Sequence, residues 1–113
     1  MEIICVAENR NLIVKISGEL DQHTAESVRL RVDKEFLRMN TKNIIFDFGD
    51  VTFMDSSGIG MLIGRYKSAE KLGGQIFVVN IKNDINRIFS ISGLSRLIRR
   101  CDTITDAIRE TKA

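Results

Sequence analysis

The spacing of apolar residues divides the first half of the chain into strands and one helix. Ile3 to Ala7 is a short apolar run, and Leu12, Val14 and Ile16 then stand two residues apart, which is typical of a half-buried strand. We expect these two runs to pair as a hairpin, with Gly18 ending the second strand.

The next two elements are a helix and a central strand. Thr24 is a typical N-cap residue and predicts the start of a helix. Apolar residues follow it at helical spacing, namely Ala25, Val28, Val32, Phe36 and Met39. The nearly continuous apolar run from Asn43 to Phe48 then predicts a strand that is covered on both faces.

The second half of the chain alternates in the same way. A helix is expected from about Ser57 to Leu72, where Gly73-Gly74 gives a strong C-terminal signal. The remaining predicted elements are a buried strand at Ile76 to Val79, a helix capped by Asn83 or Asp84, a short strand at Leu97-Ile98 and a helix from Thr103. The order β-β-α-β-α-β-α-(β)-α predicts an α/β domain with one mixed sheet of four to five strands and about four helices.

Composition narrows the class of protein. A chain of 113 residues fits a single domain, residues 1–113, and its net charge of +2 lacks the basic excess of a nucleic-acid binder. Two Cys and one His are too few for a four-ligand Cys/His zinc site, and no cofactor or metal is expected. With no apolar run of membrane-spanning length and no signal peptide, the chain is expected in the cytoplasm, away from membranes.

The segment Asp55-Ser56-Ser57 carries the most information about function, because it joins a buried strand to a helix. All three are helix-capping residue types, yet capping explains only one or two of them. The following helix contains Gly60 and Gly64, which share one face with Ser56 and should each destabilise the helix by about 1 kcal/mol relative to Ala. The glycines indicate either close packing of helix on sheet or a flat landing area for another protein, with Met61 exposed beside it.

Two kinds of chemistry fit this segment poorly. A serine nucleophile needs an adjacent base, but the only histidine, His23, lies at the start of the first helix, and no G-x-S-x-G motif occurs. The spacing of Gly58, Gly60 and Gly64 is one residue off the dinucleotide fingerprint, and no lysine follows as in a phosphate-binding loop. A serine at a helix N-terminus is better suited to accept a phosphoryl group, because the helix end tolerates negative charge.

Four segments of the sequence resemble one known family. They are Phe53–Gly60 with Gly64–Lys67, Gly18–Asp21 with His23–Glu26, Gly73-Gly74, and Phe89–Leu94. In their order along the chain, and with the Asp-Ser-Ser-Gly motif, they resemble the STAS domains of anti-sigma factor antagonists, in particular the members that act in sporulation. The resemblance covers essentially the whole chain.

The resemblance implies a regulatory function without catalysis. Family members bind a nucleotide-bound anti-sigma factor that is also a serine kinase, and binding releases the sigma factor. The kinase phosphorylates the serine that matches Ser56, and a serine phosphatase reverses the modification. Residues of the matching motifs are expected to contact the partner, namely Asp21, Asp55, Ser57, Gly58, Ile59, Gly60, Met61, Gly64 and Arg65. The free protein is expected to be a monomer.

Three alternatives remain open at this point. Relatives in the general stress response often carry Thr as the second hydroxyl residue, so Ser57 favours sporulation over stress only weakly. A small enzyme that uses Ser56 is a second alternative. A STAS-type module of a larger sensory assembly or of a transporter is the third.

Overall fold

The computed structural model describes residues 1–112, which form one five-stranded sheet in the order β1-β2-β3-β4-β5. The elements are β1 (Glu2–Glu8), β2 (Asn11–Leu20), α1 (Ala25–Arg38), β3 (Asn43–Met54), α2 (Ser56–Lys71), β4 (Ile76–Val79), α3 (Asn83–Ile91), β5 (Arg99–Cys101) and α4 (Ile104–Thr111). β1 pairs antiparallel with β2, and the other neighbours pair in parallel. The predicted element order and the mixed sheet are therefore confirmed.

The apolar residues of the sheet separate into two cores according to the face they occupy. Ile44 and Phe46 pack on the side covered by α1, α2 and α3, while Ile45 between them packs with Ala107 of α4 on the other side. This strict alternation places successive residues on opposite faces. Because both faces are covered, β3 has buried apolar residues at the consecutive positions Ile44, Ile45 and Phe46, as its sequence predicts.

The prediction that the second strand ends at Gly18 is wrong. Gly18 has φ +112°, a conformation that suits glycine, and two register shifts accompany it within the pairing of β2 with β3. The strand bends there and continues to Leu20, which pairs with Met54 at the end of β3. Gly18 thus permits a break in the regular pairing, after which Leu20 of β2 still lies beside Met54 of β3.

The region before β5 also differs from expectation. Leu97 and Ile98 both donate backbone hydrogen bonds to the carbonyl of Leu94, so they finish a 3₁₀ turn, and the strand begins only at Arg99. α3 has Lys82 as its N-cap, without a capping side chain, so the predicted caps Asn83 and Asp84 are helical residues. The strand is short because local turn hydrogen bonds take up the backbone that precedes it.

Within residues 1–112, no helix combines the length and apolar character that a membrane span requires.

The close approach at Gly74 gives a test of the fold. A Cβ atom added to Gly74 would lie 1.7 Å from the backbone oxygen of Lys42, so we expect Gly74→Ala to destabilise the protein by about 3 kcal/mol or more. Gly73 has φ +75° but open space around it, so Gly73→Asn is the control and should lose about 1 kcal/mol or less. Urea denaturation measures both, and equal stability of the two variants would contradict this account.

Candidate functional site

The turn between β3 and α2 is built around Asp55. Its backbone is extended, its N–H donates to the carbonyl of Leu20 at 3.3 Å, and its Oδ1 accepts a hydrogen bond from the N–H of Ser57 at 2.8 Å. The Asp55 carbonyl accepts from Gly58 and Ile59 at the start of the helix. Asp55 is therefore the N-cap of α2, and its predicted capping function is confirmed.

Ser56 is the first residue of α2 and its side chain is exposed. Within residues 1–112 the Ser56 hydroxyl makes no hydrogen bond, so it is available to an approaching group. Ser57 is half-buried, and its N–H is occupied by Asp55. The two adjacent serines therefore differ in accessibility, although the sequence presents them as equivalent.

The three glycines of this helix have different surroundings. A Cβ atom added to Gly58 would lie 2.7 Å from Cγ of Met54, 3.0 Å from Cγ of Leu20 and 3.1 Å from the Leu20 carbonyl oxygen. Apart from the adjacent residues and the backbone of the helix itself, no atom lies within 4 Å of a Cβ added to Gly60 or Gly64. Close packing therefore explains Gly58, whereas Gly60 and Gly64 leave a bare helix face.

Met61 is buried, with 5% of its surface exposed, so the expectation that it lies exposed beside the glycines is wrong. The buried residues of α2 are Gly58, Met61, Leu62, Arg65 and Ala69. Ile59, Ile63 and Tyr66 are only partly buried and pack against the edge of this core. The inner face includes Met61 because α2 packs against α1 as well as against the sheet.

A groove of about 360 Å³ runs between α1 and α2. Five of the predicted partner-contact residues line it, namely Ser57, Gly60, Met61, Gly64 and Arg65. Its other wall is formed by Gln22 and by residues of α1, namely Ala25, Glu26 and Arg29. The remaining predicted residues, Asp21, Asp55, Gly58 and Ile59, do not line the groove.

Arg65 occupies an unusual environment for an arginine, since only 7% of its surface is exposed. Its Nε lies 2.9 Å from Oδ1 of Asp33, but this contact lacks hydrogen-bond alignment, and Nε and Nη1 have no hydrogen-bond acceptor among residues 1–112. Burial lowers the pKa of Arg65, and the Asp33 carboxylate only partly opposes that effect. The sequence identified Arg65 as a contact residue but gave no sign that it is buried.

Asp21 organises the loop between β2 and α1. Its Oδ1 accepts hydrogen bonds from the N–H groups of His23 at 2.9 Å and Thr24 at 3.1 Å, and the bond from His23 lowers the pKa of the Asp21 carboxyl. Thr24 does hold the N-cap position of α1, but its hydroxyl donates to the carbonyl of Glu19 at 2.7 Å and makes no helix-capping bond. Asp21 therefore has a structural function in addition to any contact with a partner.

A larger open cavity of about 620 Å³ lies at the ends of β4 and β5 and is lined by residues that include Asn80, Asn86, Arg100 and Asp102. The Arg100 guanidinium lies 5.5 Å from the ring centre of Phe89. The residues 1–112 contain no group of three His, Cys, Asp or Glu side chains that could hold a metal ion. The groove beside the Ser56 turn brings together five of the predicted partner-contact residues, whereas the cavity at the ends of β4 and β5 contains none of them.

Comparison with known protein families identifies the family of the chain. The STAS domain family model matches residues 2–109. The chain belongs to the STAS family. The resemblance found in its sequence motifs is therefore confirmed.

Individual STAS relatives carry names related to sigma-factor control. The chain is 36% identical over 99 residues to an anti-sigma F factor antagonist of Paenibacillus polymyxa, covering 88% of this chain and 85% of that protein. It is 33% identical over 94 residues to an anti-sigma-B factor antagonist of Bacillus subtilis, covering 82% and 84%. The phosphorylated form of the Bacillus cell fate determinant SpoIIAA superposes with a TM-score of 0.73 at 27% identity, covering 96% of this chain and 98% of that one.

The different surroundings of the α2 glycines predict opposite effects of one substitution. Gly60→Ala and Gly64→Ala should each stabilise the protein by about 0.5–1 kcal/mol, because alanine is the better helix former and space is open. Gly58→Ala should destabilise it by about 1–3 kcal/mol, because Met54 and Leu20 must move. Thermal and urea unfolding measure the series. Destabilisation by Gly64→Ala would show that this glycine is needed for packing.

Proposed function

We propose that this STAS protein is an anti-sigma factor antagonist. In this proposal the unphosphorylated form binds a nucleotide-bound anti-sigma factor that is also a serine kinase, which releases a sporulation sigma factor, and phosphorylation of Ser56 ends the binding. A serine phosphatase restores the active form. The observation that carries the proposal is the exposed Ser56 hydroxyl at the head of the bare face made by Gly60 and Gly64.

The position of Ser56 suits a switch that acts on binding. A phosphoserine brings a charge of about −1.5 to −2, and the N-terminus of α2 partly offsets that charge through the helix dipole. The adjacent Asp55 carboxylate repels the phosphate and therefore opposes this stabilisation. The two effects have opposite signs, so the fold should tolerate the modification.

The partner surface should respond more strongly than the fold. A protein docked on the face of Ser56, Gly60 and Gly64 would have to bury the phosphoryl group and remove it from water. An uncompensated buried charge costs several kcal/mol, which corresponds to a loss of affinity by a factor of hundreds or more. Phosphorylation at this position would therefore release the partner without unfolding the protein.

In this proposal the chemistry belongs to the partner kinase, and the chain itself catalyses nothing. The supporting fact is that its relatives are named as antagonists of anti-sigma factors. We further propose that residues 1–113 act as one domain, as a monomer in the free state, and in the cytoplasm, where sigma factors act.

The relatives support two pathways, one with sigma F and one with sigma B. We favour sporulation because identity to the sigma F antagonist is the higher of the two values, 36% against 33%. Transcription assays with each type of sigma factor and its anti-sigma factor distinguish the pathways. Release of the sigma-B type alone would assign the protein to the stress response.

The phosphorylated residue can be identified directly. Incubation with ATP and the cognate anti-sigma kinase should place phosphate on Ser56, because this hydroxyl is exposed whereas Ser57 is half-buried. Ser56→Ala should bind the kinase but take up no phosphate, and Ser57→Ala is the control that should still be phosphorylated. Peptide mapping by mass spectrometry identifies the serine that carries the phosphate. Phosphate on Ser57 with Ser56 unmodified would refute the assignment.

Stability and affinity should respond differently to phosphorylation. We expect the free energy of unfolding to change by less than about 1 kcal/mol, since the helix N-terminus and Asp55 act in opposite directions. Affinity for the ADP-bound kinase should fall at least a hundredfold, and Ser56→Asp should reproduce part of that fall. Thermal unfolding and calorimetric binding are measured on one phosphorylated sample. A large fall in melting temperature with unchanged affinity would show a switch that acts through folding.

A further inference from the structure

The groove between α1 and α2 has side chains that can donate hydrogen bonds on both walls. Ser57 and Arg65 contribute donors from α2, and Gln22 and Arg29 contribute them from the side of α1. The floor is open because Gly60 and Gly64 carry no side chains. With a volume of about 360 Å³, the groove has room for a side chain of another protein.

The acidic groups near these donors are already engaged. Glu26 is the one acid that lines the groove among the residues described, and both of its oxygens contact Arg29, one of them at 3.0 Å from Nε. Asp33 is shared, since its Oδ1 lies 2.9 Å from Nε of Arg65 and its Oδ2 lies 3.6 Å from Nη1 of Arg29. One carboxylate therefore serves two guanidinium groups.

Arg65 has the strongest unmet requirement for an acceptor. Its side chain is 8% exposed, and its Nε and Nη1 have no aligned hydrogen-bond acceptor within residues 1–112. A buried arginine in this condition is destabilising, because the N–H groups have lost water without gaining a protein acceptor. An added carboxylate would supply aligned acceptor oxygens and a second negative charge beside the Asp33 carboxylate that Arg65 shares with Arg29.

We propose that this groove receives an aspartate or glutamate side chain of the partner protein, which Arg65 and Arg29 bind. The proposal rests on the proposed function, because the partner in question is the anti-sigma kinase. It extends the contact surface from the bare face of α2 to the facing wall of α1. Arg65 would then bind the partner through its buried guanidinium. The acidic side chain would reach Arg65 across Gly60 and Gly64, which have no side chains to block it.

The experiment measures affinity of the full chain for the purified ADP-bound kinase by calorimetry. Arg65→Met keeps the buried volume while removing the charge, and Arg29→Gln removes the charge at the rim. Lys34→Gln is the matched control, because Lys34 is an exposed cation of α1 that does not line the groove. We expect at least tenfold weaker binding for each arginine variant and less than a twofold change for the control. Arg65→Lys should recover part of the loss.

Double-mutant cycles then test for the carboxylate itself. Each exposed Asp and Glu of the kinase is changed to Asn or Gln and paired with Arg65→Met and with Arg29→Gln. One acid should weaken binding to the original protein at least tenfold and have little further effect on an arginine variant. Thermal unfolding of every variant verifies the fold, and Arg29→Gln keeps the test decisive if Arg65→Met is unstable.

The outcomes separate this proposal from the function on which it rests. Failure of the unmodified protein to bind the kinase overturns both. Binding by the unmodified protein that the arginine variants retain at full strength overturns the groove proposal alone. Weaker binding by the arginine variants without coupling to any acid of the kinase would show that Arg65 only supports the packing of α1 and α2, and the carboxylate proposal would be wrong.

Discussion

The contact between the N-terminus of α2 and the paired ends of β2 and β3 determines the geometry of the functional site. Leu20 and Met54 lie side by side in the sheet, and the first turn of α2 rests on them where residue 58 is glycine. Any side chain at that position would force Met54, Leu20 or the helix itself to move, because the Leu20 carbonyl oxygen and the Met54 side chain are too near. The exposure of Ser56 and the path of the following helix both depend on this close approach.

The glycines of α2 divide into one that the fold requires and two that it does not. Gly58 permits the contact with the sheet, whereas Gly60 and Gly64 face open space and are expected to reduce helix stability relative to alanine. If glycine is kept at these positions to leave the surface open for another molecule, the helix is expected to lose stability without any gain in packing. Packing of the fold thus explains Gly58, whereas it gives no reason for glycine at positions 60 and 64.

Residue patterns predicted the elements well because burial on two faces leaves a direct mark on the sequence. The apolar run in β3 is an example, and the end of α2 was predicted from a different signal, the Gly73-Gly74 pair that follows it. Patterns within one helix could not reveal that α1 lies beside α2, which is why Met61 was expected on the surface and the burial of Arg65 went undetected. Gly18 was misplaced as a strand end for a related reason, since a glycine that allows a register shift and one that ends a strand look alike in sequence.

The sequence predicted the part of the candidate site whose residues are neighbours along the chain. Asp55 caps the helix that follows it, and a serine beside a cap is recognisable as a possible acceptor of phosphate from its neighbours in sequence alone. The groove is not local, because Arg29 and Arg65 come from helices separated by β3. Their shared carboxylate, Asp33, gives no sign in the sequence that it serves two guanidinium groups. In the proposed switch the added charge enters at the exposed Ser56 turn, whereas the Asp33 contacts with Arg29 and Arg65 lie farther along the two helices.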